Sequence, residues 1–461
     1  MKKMFLFLSF VLAVAGMKAA DQDSLRYRIS LKDKVGTAYS LSKPEEFLSA
    51  KALARRQRQG IVVDSTDLPV SKQYIEALER EGGHVVMTGK WENFVVVSTN
   101  EHAVAERIGK LPFVTAVEKV WSLGSSKPTT TSTRRFDLAN EVLEHPDSIY
   151  GACTAQIQMS NGDKLHEAGF RGEGMTIAVI DGGFHNFDKI TALENVNVLG
   201  TKDFVDPGSD IFAASSHGLS VLSCIGTNRP YQMIGTAPGA SFWLLRSENE
   251  SSESPMEEAN WCAAVEFADS VGVDVLNTSL GYSDFDDKTM SYTIRDLDGK
   301  TALMSRQASR IAGKGMILVC SAGNSGGNPW KKITTPGDAE DVLTVGAIDK
   351  TGTLTNFSSI GTTSDGRIKP DVMAVGAGSD VIRPNGNQGR SNGTSFSSPI
   401  MCGMVACLWQ ACPTLTAKQV IELVRSAGDR ADFPDNIYGY GIPDMWKAYQ
   451  AYAAGKTKVE L

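Results

Sequence analysis

Four short segments of this 461-residue chain carry side chains that could perform nucleophilic catalysis. Asp181 follows the apolar run 176–180, His217 opens a predicted helix, and Ser395 begins another. Asn324 lies on a glycine-rich turn after a further apolar run. A serine becomes a nucleophile when a histidine accepts its proton, an acidic residue orients that histidine, and a donor stabilises the developing oxyanion. The chain therefore contains every group that such chemistry requires.

Each of these residues also has an ordinary structural interpretation. An aspartate after a strand is commonly a turn residue, and a serine before an apolar helix is commonly a cap. A histidine at a helix start is more often a structural polar residue than a base. Pro399 is expected in the first turn of the helix that Ser395 begins, where its missing N–H costs little. It is the combination of the four groups that indicates catalysis.

Continuous apolar runs predict the strands that must position these groups. Such runs alternate with longer helical patterns, as is typical of strands covered on both faces. The predicted strands are 176–180, 242–245, 273–277, 316–320 and 342–345, and the predicted helices are 217–226, 256–271, 301–314, 395–411 and 416–427. The alternation favours an α/β domain with a mostly parallel sheet between helices, in which ligands bind beyond the carboxyl ends of the strands.

A smaller module precedes this domain. Its pattern over residues 25–120 is βαββαβ, which predicts a small α+β unit of the ferredoxin-like type. The serine- and threonine-rich stretch 125–132 lacks apolar residues and is interpreted as an exposed linker. The chain thus divides into a small first module and a large second one.

The beginning of the chain and its charge bound the compartment and the partners. Lys2 and Lys3 precede an apolar run over 4–15 and small residues up to Ala20, which is the layout of a secretory signal. We expect the protein to be secreted or periplasmic, with no transmembrane segment. The 46 basic and 53 acidic residues give a net charge of -7 without a basic block, so nucleic-acid binding is not expected.

The seven cysteines do not form a recognisable disulfide framework. Their number is odd and no C-x-x-C pair occurs, so at least one thiol stays free. Cys402 and Cys407 are five residues apart on a predicted helix and do not share a face. We therefore favour small buried apolar residues over disulfides, and the pairing itself stays open.

The four groups occur in the order Asp181, His217, Asn324 and Ser395, and in this order the sequence resembles the subtilisin-like serine proteases. The segment 393–399, Gly-Thr-Ser-Phe-Ser-Ser-Pro, is the most specific match to that family. The resemblance implies a subtilisin-like three-layer fold and a secreted serine endopeptidase acting through an acyl-enzyme. It implies a catalytic triad of Asp181, His217 and Ser395, with Asn324 in the oxyanion hole.

The resemblance also implies substrate-binding segments and a domain plan. One segment is Asn277, Thr278, Ser279, Leu280 and Gly281, and the other is Ser321, Ala322 and Gly323. Neither contains an acidic residue, so we expect an uncharged or apolar residue at P1, on the amino side of the cleaved bond. The expected divisions are a signal peptide over 1–20, an inhibitory prodomain over 21–123, a processing linker over 124–149 and a peptidase domain over 150–461.

We expect polypeptide substrates, the prodomain as an intramolecular inhibitor, and a monomer. No cofactor is expected to be required, and no ligand run is specific enough to assign a structural calcium ion. Two positions depart from the family pattern: Gly182 stands where Thr or Ser is usual, and Leu219 where Thr is usual. Neither departure removes a catalytic group.

Alternative chemistries fit the sequence less well. The turn around Asn324 also matches the G-x-S-x-G motif of α/β-hydrolases, but that fold needs a histidine after the serine and none follows His217. His166-Glu167 does not continue into a zinc motif, because Phe170 occupies the second histidine position. Asp181-Gly182-Gly183 lacks the partner loop of an aspartic protease. A catalytically silent secreted binding protein with the same fold stays open as the main alternative.

Overall fold

The computed structural model describes residues 24–123 and 148–455. The contacts within it define two compact units, which are residues 24–40 with 65–123 and residues 41–64 with 148–455. The expected signal peptide, 1–20, and most of the expected linker, 124–149, lie outside the described residues. The expected prodomain, 21–123, is divided between the units, because 41–64 cluster with the second one.

The first unit contains one antiparallel sheet and two helices. Its strands, in the spatial order β2-β3-β1-β4, are β1 (Leu25–Leu31), β2 (His84–Gly89), β3 (Phe94–Thr99) and β4 (Val114–Ser122). Helix α1 (Ala50–Arg58) belongs to the second unit, whereas α2 (Lys72–Arg80) and α3 (His102–Ile108) belong to the first. Strand β1 alternates buried and partly exposed residues, because only one face of the sheet meets the apolar core.

The second unit is built on a seven-stranded parallel sheet. Its strands are β5 (Thr176–Asp181), β6 (Asn197–Asp203), β9 (Ser241–Arg246), β10 (Val275–Thr278), β11 (Ile317–Ser321), β12 (Leu343–Ile348) and β13 (Val372–Val375). Their spatial order is β13-β12-β11-β10-β5-β9-β6. Two short antiparallel pairs accompany the sheet: β7 (Asn228–Arg229) with β8 (Met233–Ile234), and β14 (Ser379–Ile382) with β15 (Gln388–Ser391).

Eight further helices complete the second unit. They are α4 (Thr154–Gln158), α5 (Gly162–Glu167), α6 (His217–Gly226), α7 (Pro255–Val271), α8 (Leu303–Ile311), α9 (Thr394–Ala411), α10 (Ala417–Ser426) and α11 (Met445–Ala453). Strand β5 is buried at every position, and α9 is buried at all but one, because helices cover the sheet and α9 crosses its centre. The structure confirms the predicted parallel sheet between helices.

The strands that the sequence patterns miss are short or polar. Strand β6 lies at the edge of the sheet and has the polar sequence Asn-Val-Leu-Gly-Thr-Lys-Asp, so it lacks a continuous apolar run. The hairpin β14–β15 consists of two four-residue strands. Strand β13, at the other edge of the sheet, is apolar and four residues long, and the sequence prediction omits it as well. Short edge strands gain their hydrogen bonds from the rest of the fold, which local patterns do not record.

All seven cysteines lie in the described part of the chain, and all are buried free thiols. Burial raises the pKa of each thiol, for Cys412 to about 12, so they stay protonated at neutral pH. This confirms their interpretation as small buried apolar residues. Within 24–123 and 148–455, no helix has both the length and the apolar character needed to cross a membrane.

Candidate active site

The first two groups of the candidate site form a hydrogen-bonded pair at one edge of the sheet. Asp181 ends β5, the strand beside which the winding of the sheet reverses. His217 is the first residue of α6, and its Nδ1 lies 2.8 Å and 3.0 Å from the two carboxylate oxygens of Asp181. The Asp181 side chain is fully buried, and that of His217 is 13% exposed. A buried carboxylate on Nδ1 leaves Nε2 as the nitrogen available for proton transfer.

Ser395 occupies the second position of α9, at the helix end where backbone N–H groups lack partners within the helix. Its Oγ donates to the carbonyl oxygen of Ser279 at 3.4 Å. The ring of the next residue, Phe396, lies 6.1 Å from the His217 ring between centroids. The packing therefore brings the starts of α6 and α9 together, although 178 residues separate the predicted base from the predicted nucleophile.

Pro399 is not in the first turn of α9, as the sequence suggested, but inside the helix at its sixth residue. A proline there cannot donate to the carbonyl four residues earlier, which is that of Ser395. The Ser279 hydroxyl donates to this carbonyl instead, at 2.8 Å. The proline therefore frees a helix carbonyl that fastens the start of α9 to the segment 277–281.

Asn324 follows β11 and is held by its amide oxygen. That oxygen accepts hydrogen bonds from the backbone N–H of Thr394 at 2.8 Å and from the Thr394 hydroxyl at 2.9 Å. Thr394 Oγ1 also accepts from the backbone N–H of Gly323 at 3.1 Å. Since the oxygen is occupied, the amide NH₂ is the end of Asn324 that is turned away from Thr394. This arrangement suits a donor to an oxyanion near Ser395.

The two expected substrate-binding segments lie at the same edge of the sheet. Asn277, Ser279 and Leu280 are buried at the end of β10, while Gly281 is exposed. Ser321 and Ala322 are buried at the end of β11, and Gly323 has a positive φ of 103°. The Asn277 amide accepts a hydrogen bond from Ser398 of α9 at 2.9 Å, which ties this segment to the helix of the predicted nucleophile.

Thr334 lies between these two segments, and the sequence analysis did not single it out. A Cβ added at Gly281 would overlap Thr334 Oγ1, and one added at Gly323 would lie 3.1 Å from it. Thr334 is 7% exposed, and its hydroxyl has no hydrogen-bond partner among the described residues. The Thr334 hydroxyl therefore lies against both segments, between Gly281 and Gly323.

The two departures from the family pattern, Gly182 and Leu219, lie one residue after Asp181 and two residues after His217 in the chain. A Cβ at Gly182 would lie 2.9 Å from a carboxylate oxygen at the end of the Glu248 side chain. The Gly182 N–H donates to Asp181 at 2.8 Å and supports the carboxylate without a side chain. Leu219 is fully buried in the core beneath α6. The substitutions leave the Asp181–His217 pair intact.

Other histidines are less suited to act as the base. His166 is buried, and its Nε2 lies 3.0 Å from the Thr236 carbonyl oxygen. Burial lowers its pKa to about 4, so its ring is neutral at pH 7. His185 lies four residues after Asp181 on the following loop, and its backbone N–H donates to Ser215. His84 and His102 belong to the first unit, and His145 lies outside the described residues.

The described residues provide no cluster of three or more histidine, cysteine or acidic side chains that could hold a metal ion.

Two residues of the site, Thr394 and Thr334, were not predicted from the sequence, because their contacts are with residues that are distant in the chain. Thr394 stands within the recognised motif, but its contact with Asn324 depends on tertiary structure. Thr334 carries no local signal, since a threonine in a loop is common.

Comparison with protein families gives two matches. A model described as the subtilase family matches residues 172–441, and one described as the peptidase S8 propeptide domain of Bacteroidota matches residues 26–135. The two matches follow the order of the two modules that the sequence predicts.

Individual relatives are similar over most of their length. Subtilisin NAT from Bacillus subtilis subsp. natto is 26% identical over 370 residues, covering 79% of this chain and 82% of that protein. Serine protease AprX from Bacillus subtilis (strain 168) is 27% identical over 365 residues, covering 73% and 78%. The solved structure of MycP1 from Mycobacterium smegmatis has a TM-score of 0.53 at 22% identity, covering 68% of this chain and 86% of that one. This structural likeness concerns the fold alone.

Proposed function

The chain belongs to the subtilase family of serine peptidases, and from this premise we propose that it is an exported endopeptidase that uses Ser395, His217 and Asp181. The observation that carries the proposal is the bond of His217 Nδ1 to the buried Asp181 carboxylate, at the sheet edge where α9 presents Ser395. These are the groups that acyl transfer requires, and they come from three separate elements.

The reaction begins when His217 Nε2 accepts the hydroxyl proton of Ser395 and Oγ attacks the scissile carbonyl carbon. Asp181 keeps the imidazole in the tautomer with a proton on Nδ1 and stabilises the imidazolium that forms. The imidazolium then gives its Nε2 proton to the leaving amine, and the C–N bond breaks to leave an acyl-Ser395. In the second half of the reaction, His217 Nε2 accepts a proton from a water molecule, whose oxygen attacks the acyl carbon. The bond to Ser395 Oγ then breaks, the proton returns to Oγ, and the carboxylic acid is released.

Stabilisation of the oxyanion is assigned to Asn324 and to the backbone N–H of Ser395. The hydrogen bonds from Thr394 hold the Asn324 amide in one orientation before the substrate arrives, so little reorganisation is needed as charge develops. The start of α9 adds the positive end of its helix dipole at the same place. Both contributions act on the tetrahedral intermediate rather than on the substrate carbonyl.

We expect a serine-directed phosphonyl fluoride to inactivate the purified protein and to be recovered on Ser395. The reagent reacts with a serine only when a base and an oxyanion site activate it, so the unactivated Ser397 of the same helix should stay unlabelled. Peptide mapping by mass spectrometry identifies the labelled residue. A protein that takes up no label on Ser395 would instead fit the alternative, a catalytically silent binding protein.

The segments 277–281 and 321–323 are proposed to bind the substrate. An extended peptide would pair with the first as an added strand, and the P1 side chain would enter the space between the two. The Thr334 hydroxyl lies beside Gly281 and Gly323 and limits how far a P1 side chain could extend there. We therefore assign the site a preference for small, uncharged P1 residues such as alanine and serine.

Thr334→Ala is expected to raise kcat/KM for a substrate with leucine at P1, relative to one with alanine, by about 10-fold, because it removes the hydroxyl that limits the space for the P1 side chain. Thr334→Ser keeps the hydroxyl and serves as the matched control, with a change below about 3-fold. Kinetics with a series of peptides that differ only at P1 measure both ratios. A profile dominated by lysine or arginine, or equal ratios for the two variants, would contradict this preference.

The N-terminal region is proposed to act as an export signal followed by an inhibitory prodomain. The apolar run 4–15 supports export, and the match of a propeptide model to residues 26–135 supports the inhibitory role. The last strand of the first unit, β4, ends at Ser122, close to the linker. We propose that the first unit inhibits the peptidase domain until the linker is cut.

The amino terminus of the mature protein is expected between about Trp121 and Tyr150, and cleavage there is expected to depend on Ser395. Amino-terminal sequencing of the exported wild type beside Ser395→Ala measures both. The wild type should show an amino terminus within that range, and the variant should show only the one near residue 21. An active wild type with no amino terminus in that range would refute the proposal, and an equally processed variant would assign the cut to another protease.

A further inference from the structure

Residues 41–64, here called the arm, belong to the region matched by the propeptide model but are part of the peptidase unit. The arm contains helix α1 and joins the first unit at both of its ends. Arg55, Lys51 and Gln59 of the arm contact Asp269, Asp274 and Gly315 of the second unit. The arm is therefore a piece of the propeptide region that packs as part of the peptidase domain.

Two arginines of the arm form a buried ion pair with one aspartate of the peptidase domain. Arg55 and Arg56 each bind a carboxylate oxygen of Asp269, the latter at 2.8 Å. Both arginines are 1% exposed, and Asp269 is fully buried. Asp269 lies near the carboxyl end of α7, where the helix dipole disfavours a negative charge and the last turn has no basic residue. Without the arm, this carboxylate would be left without the two cations that hold it.

Further polar contacts extend the interface along α1. Lys51 forms an ion pair with Asp274 at 3.0 Å and a hydrogen bond with the Thr176 hydroxyl. The backbone N–H of Ser49 donates to the carbonyl oxygen of Ser270 at 2.8 Å and so caps the end of α7. These bonds bind the arm to the start of β5, to the end of α7 and to the residue that precedes β10.

The end of the arm binds two more backbone groups. Gln59 donates from its amide nitrogen to the Gly315 carbonyl and accepts from the backbone N–H of Ala417, both at 2.8 Å. The packing is close as well. A Cβ added at Gly272 would lie 2.7 Å from the Cβ of Lys51, and one at Gly315 would lie 2.8 Å from the Gln59 amide nitrogen. Glycines of the peptidase domain thus make room for the Lys51 and Gln59 side chains of the arm.

The arm lies at the edge of the sheet opposite to the candidate active site. Thr176 begins β5, and Asp274 and Gly315 precede β10 and β11, so the arm contacts the amino-terminal ends of these strands. Asp181 ends β5, and the length of that strand separates it from the arm by about 17 Å. An arm that stays in place therefore does not obstruct Ser395 or the expected substrate segments.

We infer that the arm is a permanent part of the peptidase domain and that, once the linker is cut, the N-terminal chain stays bound to it through the arm. A single cut between 121 and 150 then gives a two-chain protein. Removal of the first unit requires further cuts on both sides of the arm, near residues 40 and 65. This inference goes beyond the proposed function and does not depend on it.

The test separates the cut from the activity of the protein. The full chain with Ser395→Ala receives the recognition sequence of an external, sequence-specific protease in place of residues 126–132. After complete cleavage, size-exclusion chromatography at about 1 μM in 0.15 M NaCl is followed by intact mass measurement. We expect the two fragments to elute together, since buried ion pairs are screened little by salt. Elution as two separate fragments would overturn the inference.

A matched pair of variants tests whether the arm causes the retention. Arg58 lies on the same helix, but its side chain is 46% exposed and 3.8 Å from Asp274. In the cut chain, Arg55→Met is expected to raise the dissociation constant of the two fragments by at least about 100-fold. It removes the buried hydrogen bonds of the Arg55 guanidinium to the Asp269 carboxylate and to the Val273 carbonyl oxygen, and no other group of the arm replaces them there. Arg58→Met is expected to change it by less than about 5-fold. Equal constants for the two variants would assign the retention to other contacts and overturn the role of the arm.

Hydrogen exchange provides a measurement that needs no substitution in the arm, which matters because Arg55→Met alters a buried ion pair. In the cut Ser395→Ala protein, the amides of α1 are expected to exchange as slowly as those of β10, because they open only with the peptidase domain. Exchange of α1 at the rate of an unstructured peptide would overturn the inference. Both outcomes are independent of whether the wild-type chain is proteolytic.

Discussion

Ser395→Ala is expected to lower kcat for a peptide substrate by about 10⁶-fold, which corresponds to about 8 kcal/mol of lost transition-state stabilisation. The magnitude is that of subtilisin itself and is borrowed from it. The physical reason is that the substitution removes the only proposed nucleophile, while the oxyanion donors and the substrate-binding segments stay in place. Steady-state kinetics with a chromogenic peptide measure the loss, and thermal unfolding shows that the variant is folded.

Asn324→Ala provides the graded comparison for that loss. It removes one oxyanion donor and leaves the nucleophile and its base, so we expect kcat to fall by only about 10²–10³-fold. The Thr394 hydroxyl then loses its partner on Asn324 but keeps the hydrogen bond from Gly323. Similar losses in the two variants would contradict the assigned roles. Ordinary activity in Ser395→Ala would show that the nucleophile is another residue.

His217→Ala is expected to lower kcat by about 10⁶-fold as well, because the serine loses its base and the triad acts as a unit. In subtilisin, removal of the serine or of the histidine costs about as much as removal of all three groups. The double variant with Ser395→Ala should therefore be no slower than either single variant. Kinetics of the two single variants and the double variant, measured at one pH, test this non-additivity.

His185→Ala is the matched control, since it removes an imidazole from the loop that follows Asp181. We expect its activity to stay within about 3-fold of the wild type, because the Asp181 carboxylate binds His217. Full activity in His217→Ala together with loss in His185→Ala would reverse the assignment of the base. Loss in both would indicate that His185 supports the loop on which Asp181 depends.

The position of the candidate groups within their elements was predictable from local pattern. Asp181 ends a continuous apolar run, and His217 and Ser395 open helices that the patterns place within one residue of their observed starts. Such runs reflect burial on both faces of a sheet, which the sequence records directly. The same logic failed for β6, because an edge strand is polar and takes its hydrogen bonds from a neighbour.

The position of Pro399 shows where local chemistry misleads. Proline is most often tolerated in a first turn, and the sequence offers no reason to place it deeper in α9. In the folded chain, the Ser279 hydroxyl satisfies the carbonyl that the proline leaves free. The compensating partner comes from 120 residues earlier in the chain. Only the packing of α9 against the end of β10 supplies it.

The sequence by itself determined the class of the fold, the family, and the four groups whose order suggests a serine protease, because apolar periodicity and short motifs are local properties. Tertiary structure decided which polar groups meet. It joined His217 to Asp181, placed Thr334 between Gly281 and Gly323, and brought Arg55 onto a buried aspartate more than 200 residues away. Such contacts form because burial penalises any charge or hydroxyl without a partner, and that penalty acts between neighbours in space rather than in sequence.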